Sequence, residues 1–574
     1  MNFTIEVNGK IIQARKGETI LESLAKSGIT VPTLCHMPGL YPTGSCRMCV
    51  VEVEGKPNLI TACSFPVEDG LKIRTHSPRV VNARKTNVEL LLGNHPDDCL
   101  YCERNGNCEL QTFAAELGVR ERRFRGSKSK AKTDPSGAAL VREPSKCILC
   151  GRCVRTCDEV VGAMTLGFIG RGNKTIVGPS FNKQINLSSC INCGQCIMAC
   201  PTGALHEKRH SPDLLTALHN PEEHVVLQLS PTVQISMAEN FGLKTGKDSI
   251  GVLVSASRRA GFDKVFDTSF AADLYITELA AELEQRIRSN INLPLFSSDC
   301  PAWVKFAEQK YPEILPQLSS CKSPQQMTGS LIRSFYAPGF VVKSSQIFSV
   351  SAMPCTAKKF ESQREQMTQK GITEVDTVMT TRELSQFIKL NGIGENLNEN
   401  DLPDAPFHLR SSASRLLSVS GGLSEALIRT LHYRLTGTEI KQLKISELRQ
   451  TKEIREVRLA MGEYNIGFAV ADSMKAAGKL VGEVLKGRSD LHFIEVMACQ
   501  GGCINGGGQP ISDDQQVVRQ RIKTIYEMDE KEPIKVAHKN PAVIAIYREF
   551  LGEPLGKKAI ELLHTTYTKR DVAY

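Results

Sequence analysis

Two repeated runs of cysteine constrain this chain more than any other feature. Cys147, Cys150, Cys153 and Cys157 follow the spacing C-x2-C-x2-C-x3-C, and Cys190, Cys193, Cys196 and Cys200 repeat it, the second run closing on Pro201. Thiolates at this spacing hold two 4Fe-4S clusters, with the fourth cysteine of each run reaching across to the other cluster. The expected ligand sets are Cys147, Cys150 and Cys153 with Cys200, and Cys190, Cys193 and Cys196 with Cys157. Asp158 stands where the first run's proline is expected, a departure in that half. The chain has 20 cysteines, clustered in pairs and triplets behind an N-terminus without an apolar leader. That pattern favours metal ligation in a reducing cytoplasm over disulfides.

Two further sites precede these runs. Residues 3–13 alternate around Asn8-Gly9, which predicts a β-hairpin, and Thr19 to Lys26 has helical spacing with Gly28 placed to end it. Cys35, Cys46, Cys49 and Cys63 come next, spaced x10, x2 and x13. Four thiolates suit a 2Fe-2S cluster or zinc. The order of hairpin, helix and cysteine loop resembles the ubiquitin-like ferredoxin fold, which implies 2Fe-2S. Next stands His95-x3-Cys99-x2-Cys102-x5-Cys108, where the histidine supplies the fourth ligand that three cysteines lack. A zinc knuckle competes with a 4Fe-4S cluster here, and the neighbouring clusters favour an electron-transfer role. Fifteen cysteines and His95 thus provide ligands for four clusters. A polar strip with Arg120, Arg122, Arg123, Arg125, Lys128, Lys130 and Lys132 reads as a solvated linker or a docking strip for an acidic electron carrier.

From about residue 209 short apolar strands alternate with helical stretches, the mark of α/β architecture. Candidate strands are Val225 to Leu229, Leu293 to Phe296, Ile347 to Val350, Ile466 to Val470 and Phe493 to Val496. Cys300, Cys355 and Cys499 lie just after three of them. Sites in open α/β sheets gather beyond the carboxyl ends of strands, so these loops are expected to converge. In Met497 to Pro510, Cys499 and Cys503 are separated by three residues, and five glycines strip side chains from the backbone so that it can wrap closely around a cluster. Cys321 reads as a small buried residue. No run of 18 uncharged apolar residues occurs, and the net charge of +9 is spread along the chain, so neither membrane insertion nor nucleic-acid binding is expected.

The C-terminal motifs resemble those of the iron-only (FeFe) hydrogenases. Ser297 to Trp303 (SSDCPAW), Met353 to Glu361 (MPCTAKKFE) and Glu495 to Cys503 (EVMACQGGC) are similar to that family's three active-site motifs. With the clusters before them, the likeness is to large monomeric clostridial-type enzymes. It implies a multidomain α+β and α/β protein: a ubiquitin-like 2Fe-2S ferredoxin domain (1–80), a His/Cys3 4Fe-4S domain (81–125), a linker and two-cluster bacterial ferredoxin-like domain (126–208), and an α/β H-cluster domain (209–574). The implied cofactors are one 2Fe-2S, three accessory 4Fe-4S clusters and the H-cluster, a 4Fe-4S cubane joined to a di-iron unit with CO, cyanide and azadithiolate. By the resemblance, Cys300, Cys355, Cys499 and Cys503 hold the cubane, Cys503 being shared with the di-iron unit. Lys358 donates to one cyanide, Ser230 and Pro231 flank the other, and Met353, Met497, Ser323 and Gln325 lie near the di-iron unit.

The resemblance also implies a proton relay that starts at a cysteine just before the first cubane ligand and continues through serine, two glutamates and arginine. Here the first position is Asp299, and Ser319, Glu282 and Arg286 match later ones, but one glutamate position is Leu279. Either a water or the adjacent Glu278, which on a helix points about 100° away, substitutes, or the proton leaves by another route. A carboxylate titrates near 3.9 and a thiol near 8.5, so Asp299 needs burial to serve. The implied activity is reversible H2 formation with a ferredoxin- or flavodoxin-like carrier, by a cytoplasmic monomer served by maturation proteins. Competing readings are a hydrogen-sensing or slow hydrogenase-like protein, an iron-sulfur assembly relative, and an electron-transfer subunit of a larger oxidoreductase.

Overall fold

Asn8 and Gly9 both take left-handed φ, 51° and 83°, the geometry a two-residue hairpin turn needs, and join strands Asn2–Val7 and Lys10–Arg15. The computed structural model describes residues 2–572 except 122, 129–130, 210, 340–341, 370, 394–400 and 513, so Arg122 and Lys130 of the basic strip lie outside the described residues. Thr19 and Glu22 form a capping box that starts helix Ile20–Lys26. The helix packs Leu21 and Leu24 on the core of a five-stranded sheet, in which Asn2–Val7 lies between Lys10–Arg15 and the parallel strand Lys72–Arg74. This is the 2Fe-2S ferredoxin-like domain. Ser77 caps helix Pro78–Asn94, with Pro78 at its first turn, and the helix ends on the buried His95.

The two cysteine runs fold alike. Leu149 and Asn192, the residues before the second cysteine of each run, have φ of 55° and 60°, and the glycines after it, Gly151 and Gly194, have 72° and 74°. Each run then enters a short helix, Arg152–Arg155 or Gln195–Ala199. The two runs part at their fourth cysteines, where only the second has its proline. Pro201 cannot continue a helix and the second run stops, whereas the first runs on as a π-helical turn, Thr156–Val161, that carries Cys157. Strands Leu140–Arg142 and Leu205–Glu207 close the module as an antiparallel pair.

The remainder is built on two four-stranded sheets. One is wholly parallel, in the order Lys264–Asp267, His224–Leu229, Ile347–Met353, Thr377–Thr380. The other runs Leu295–Phe296, Phe493–Val496, Tyr464–Ala471, Ile454–Met461, with its last strand antiparallel. Each expected strand is present. A 21-residue helix, Ser269–Ser289, lies buried along most of its length and packs against Gly422–Thr436. Among the described residues, no helix is long and apolar enough to cross a membrane.

At Gly194 and Gly507 the ferredoxin module and this domain approach too closely to admit a side chain at either position. A Cβ on Gly507 would fall 2.2 Å from the Cys193 carbonyl oxygen, and one on Gly194 would fall 2.4 Å from Thr356 Oγ1. Gly507→Ala is therefore expected to lose about 1–3 kcal/mol of stability, the range for overpacking a close contact. Chemical denaturation of the cluster-loaded protein measures this, with Gly482→Ala, where a Cβ meets nothing within 4 Å, as the control.

Candidate active site and its electron-transfer centres

Cys147, Cys150, Cys153 and Cys200 line one cavity, and Cys157, Cys190, Cys193 and Cys196 line another. The fourth cysteine of each run has crossed to the other group, as the spacing implies. Backbone amides turn toward the sulfurs through the left-handed residues, Leu149 N donating to Cys147 Sγ at 3.4 Å. In the N-terminal domain Cys35 and Cys46 are neighbours, as are Cys49 and Cys63, and the pairs adjoin through Cys35 with Cys63 and Cys46 with Cys49. At the His95 site Cys108 and Cys102 are neighbours, and the exposed Cys99 opens the turn that Cys102 closes by donating its N–H to the Cys99 carbonyl. Cys102 Sγ packs against Gly203 of the ferredoxin module, where a Cβ would approach it to 2.5 Å.

Cys300, Cys355, Cys499 and Cys503 converge from three loops. Cys300 and Cys355 follow the ends of Leu295–Phe296 and Ile347–Met353, and Cys499 follows Phe493–Val496. Burial pushes the Cys503 thiol far up, and the surrounding Cys355, Asp299, Cys300 and Cys499 add to the effect. Four thiols crowded into a space that disfavours thiolate suit a bound metal cluster, which deprotonates its thiol ligands outright. Among the described residues, no three His, Cys, Asp or Glu side chains are arranged to hold a single metal ion. The glycine loop supports a close fit, since a Cβ on Gly502 would meet Ser420 N at 2.5 Å and one on Gly506 the Pro354 oxygen at 2.4 Å.

Beside Cys355 and Cys503 lies a cavity of about 70 Å3 lined by Asp299, Lys358, Ser230, Pro231, Gln325 and Met353 among others. Lys358 Nζ donates to the Asp299 carbonyl at 3.1 Å and to Glu361 Oε2 at 2.9 Å. An ammonium has three donors, so one is left for a ligand. Burial opposes the Lys358 charge, yet Glu361 outweighs it and holds the pKa above its usual value. Ser323 and Gln325 also donate to Glu361 Oε2, at 2.8 and 3.3 Å, which makes Glu361 the anchor of this wall. Ser323 and Met497 are buried outside the cavity wall, Met497 packing with Cys300 and Cys355. Glu361 closes the second cysteine motif, but its role depends on partners that spacing does not reveal.

Burial pushes the Asp299 carboxyl up to about 6, against the pull of Lys358, and its Oδ1 has no protein hydrogen-bond partner. Farther out, Ser319 Oγ donates to Glu282 Oε2 at 2.6 Å, and Arg286 Nη2 donates to Glu282 Oε1 at 2.7 Å. Leu279 is fully buried among apolar side chains of the helix core. Cys321 is buried as expected, and its thiol also lies 3.7 Å from Glu282 Oε2, a contact its sequence neighbourhood did not signal.

The comparisons with known proteins fit this geometry. Residues 223–507 match the family described as iron only hydrogenase large subunit, C-terminal domain, and residues 1–78 a 2Fe-2S iron-sulfur cluster binding domain. Residues 84–123 match an NADH-ubiquinone oxidoreductase-G iron-sulfur binding region, and residues 146–204 a 4Fe-4S dicluster domain. Iron hydrogenase 1 of Clostridium pasteurianum is 35% identical, over 99% of this chain and 100% of its own. The chain belongs to the iron-only hydrogenases. The NADP-reducing hydrogenase subunit HndD of Solidesulfovibrio fructosivorans is 39% identical over 99% of both chains. The apo form of a [FeFe]-hydrogenase HydA1 variant from Chlamydomonas reinhardtii aligns with a TM-score of 0.57 at 34% identity, covering 63% of this chain and 99% of that one. This iron-only hydrogenase therefore joins 2Fe-2S and 4Fe-4S electron-transfer domains to an H-cluster domain. Residues 515–570 match the iron hydrogenase small subunit, a segment without cysteine that no metal motif could have flagged.

The crossed cavities make a specific prediction. Cys200→Ser should alter the electron paramagnetic resonance (EPR) signal of the cluster beside Cys147, Cys150 and Cys153, and Cys157→Ser that of the cluster beside Cys190, Cys193 and Cys196. The reverse assignment would overturn the crossed arrangement.

Proposed function

We propose that this iron-only hydrogenase interconverts H2 with two protons and two electrons, and exchanges the electrons with a ferredoxin- or flavodoxin-type carrier through one 2Fe-2S and three 4Fe-4S clusters. The observation that carries the reading is the convergence of Cys300, Cys355, Cys499 and Cys503 beside a cavity lined by Asp299 and Lys358. When bound, the H-cluster supplies redox-active iron with CO and cyanide ligands and a bridging amine. The four cysteines would hold its cubane, with Cys503 shared with the di-iron unit. Lys358, fixed by Glu361, would donate its remaining N–H to one cyanide, and Ser230 and Pro231 would flank the other. The mostly apolar walls around Met353 keep bulk water out.

Asp299 moves the proton between the cavity and the protein. At a pKa of about 6, roughly a tenth of its population is protonated at pH 7, and the uncommitted Oδ1 is available to a partner in the cavity. Ser319 and Glu282 extend the relay. Electrons enter at the 2Fe-2S or His95 cluster and pass along the ferredoxin module to the cubane. The protein works as a cytoplasmic monomer, and maturation proteins insert the di-iron unit.

A second reading concerns the electron partner. The likeness to a subunit of an NADP-reducing hydrogenase over 99% of both chains supports docking to a nicotinamide-reducing subunit in place of a free carrier. H2-dependent reduction of ferredoxin by the isolated chain supports the first reading, and its absence in an otherwise active enzyme supports the second.

Infrared spectroscopy of the matured protein tests the cofactor: bands of iron-bound CO and cyanide are expected, with H2 evolution from a reduced dye, and their absence after competent maturation would overturn the hydrogenase reading. Asp299→Asn is expected to keep the infrared bands and lose turnover by about 100-fold or more, the scale of a removed acid-base group. Full turnover in that variant would remove Asp299 from the relay.

A further inference from the structure

Glu282 needs a way to pass its proton to solvent, and the Arg286 side offers a poor one. The Arg286 guanidinium is committed to Glu282 and to the carbonyls of Asn292, Pro316 and Leu318 at 3.0–3.2 Å. A guanidinium has five donors and no acceptor, and it does not deprotonate in proteins. Arg286 therefore fixes the Glu282 carboxylate and cannot hand a proton onward.

A different chain of hydrogen bonds leaves the same carboxylate. Ser320 Oγ lies 3.4 Å from Glu282 Oε1 and 2.8 Å from His564 Nδ1. On the other side of the ring, His564 Nε2 lies 3.1 Å from Glu278 Oε2. Glu278 also accepts from Tyr547 OH and from Leu555 N at 2.9 Å, the latter in a turn whose Gly552 and Glu553 are exposed. Each link is a group that both accepts and donates. Glu278 and Glu282 share one helix, and the bridge between them comes from two distant stretches of chain, Ser320 and the C-terminal His564.

We propose that protons pass between Glu282 and Glu278 through Ser320 and His564, toward the C-terminal segment, with Arg286 as a positioning residue. Outward, the Glu282 proton moves to Ser320 Oγ as the serine proton moves to His564 Nδ1, and His564 Nε2 releases its own proton to the Glu278 carboxylate. One proton enters and one leaves, and no charge stays on the serine. The imidazole presents one ring nitrogen to Ser320 and the other to Glu278, so it can accept on one side and donate on the other. Glu278 thus acts through a histidine that Leu279, one position along the helix, could not engage. The route makes the C-terminal segment part of the proton path as well as of the fold.

The inference rests on the hydrogenase reading, and the test separates the two. Glu278→Gln and His564→Gln are made in the full chain, matured, and assayed with saturating reduced dye so that electron supply does not limit. Both are expected to lose about 10- to 100-fold in H2 turnover, with a larger solvent deuterium isotope effect, while cluster EPR signals and CO and cyanide bands stay as in the wild type. In the infrared difference between oxidised and H2-reduced enzyme, Glu278→Gln is expected to remove a carboxyl C=O band. Wild-type turnover in both variants would overturn the route. So would a turnover loss with unchanged isotope effect and unchanged carboxyl band, because that marks a latch for the C-terminal segment. A wild-type protein that shows the metal-carbonyl bands yet neither makes nor consumes H2 would overturn the hydrogenase reading itself.

Discussion

The contact on which the rest depends is the one between the second cysteine run and the glycine loop. Gln195 Nε2 donates to Cys499 Sγ at 3.2 Å and to the Asn505 carbonyl at 2.8 Å, while Thr356 Oγ1 donates to the Asn192 carbonyl at 2.6 Å. Gln195 stands next to Cys196, so one side chain links the ferredoxin helix to Cys499 of the glycine loop. The glycines on either side permit this approach, because any side chain at Gly194 or Gly507 would separate the backbones. The ion pair Arg382–Glu207 at 2.9 Å and the Lys359 to Lys208 carbonyl bond at 2.8 Å pin the same seam.

The charged side chains beyond the seam are buried, and each has a partner that offsets the cost of its burial. Breaking one member of a buried pair is strongly destabilising, by about 3–5 kcal/mol, since it strands the other charge. Lys358 with Glu361 at the cavity wall, and Lys322 with Glu374 and Arg364 with Glu308 elsewhere in the domain, are buried pairs of this kind. Glu308 also accepts from Arg570 at 2.7 Å, which ties the last residues of the chain to the helix that follows Cys300. Like Glu374 away from the cavity, Asp299 keeps one oxygen without a protein partner, and of the two it is Asp299 that lines the cavity. That is where a reacting group belongs.

How much of this was legible in the sequence depends on the range of each interaction. Cluster spacing is local, so the ferredoxin runs, their crossed cavities and the three cysteine loops could be read directly. The capping box at Thr19 and the Asn8-Gly9 turn are likewise set within a few residues. The division of the large domain into two sheets depends on strand pairing across hundreds of residues, which alternation alone does not encode. Glu361 lay within a readable motif, but its partners Ser323 and Gln325 are 38 and 36 residues away. His564 carried no signal at all, because its partners lie 244 and 286 residues earlier in the chain. Leu279 was visible as a gap in the relay, whereas the bridge around it required coordinates.

The central claim is that electrons cross at the Gln195–Cys499 contact into a cubane held by the four C-terminal cysteines. EPR spectroscopy of the reduced, cluster-loaded protein tests it most directly. Two paramagnetic centres in such close contact are expected to split one another's signals, with the splitting lost in Cys196→Ser while a cubane signal remains. Unsplit signals from two intact, reduced centres would contradict the account.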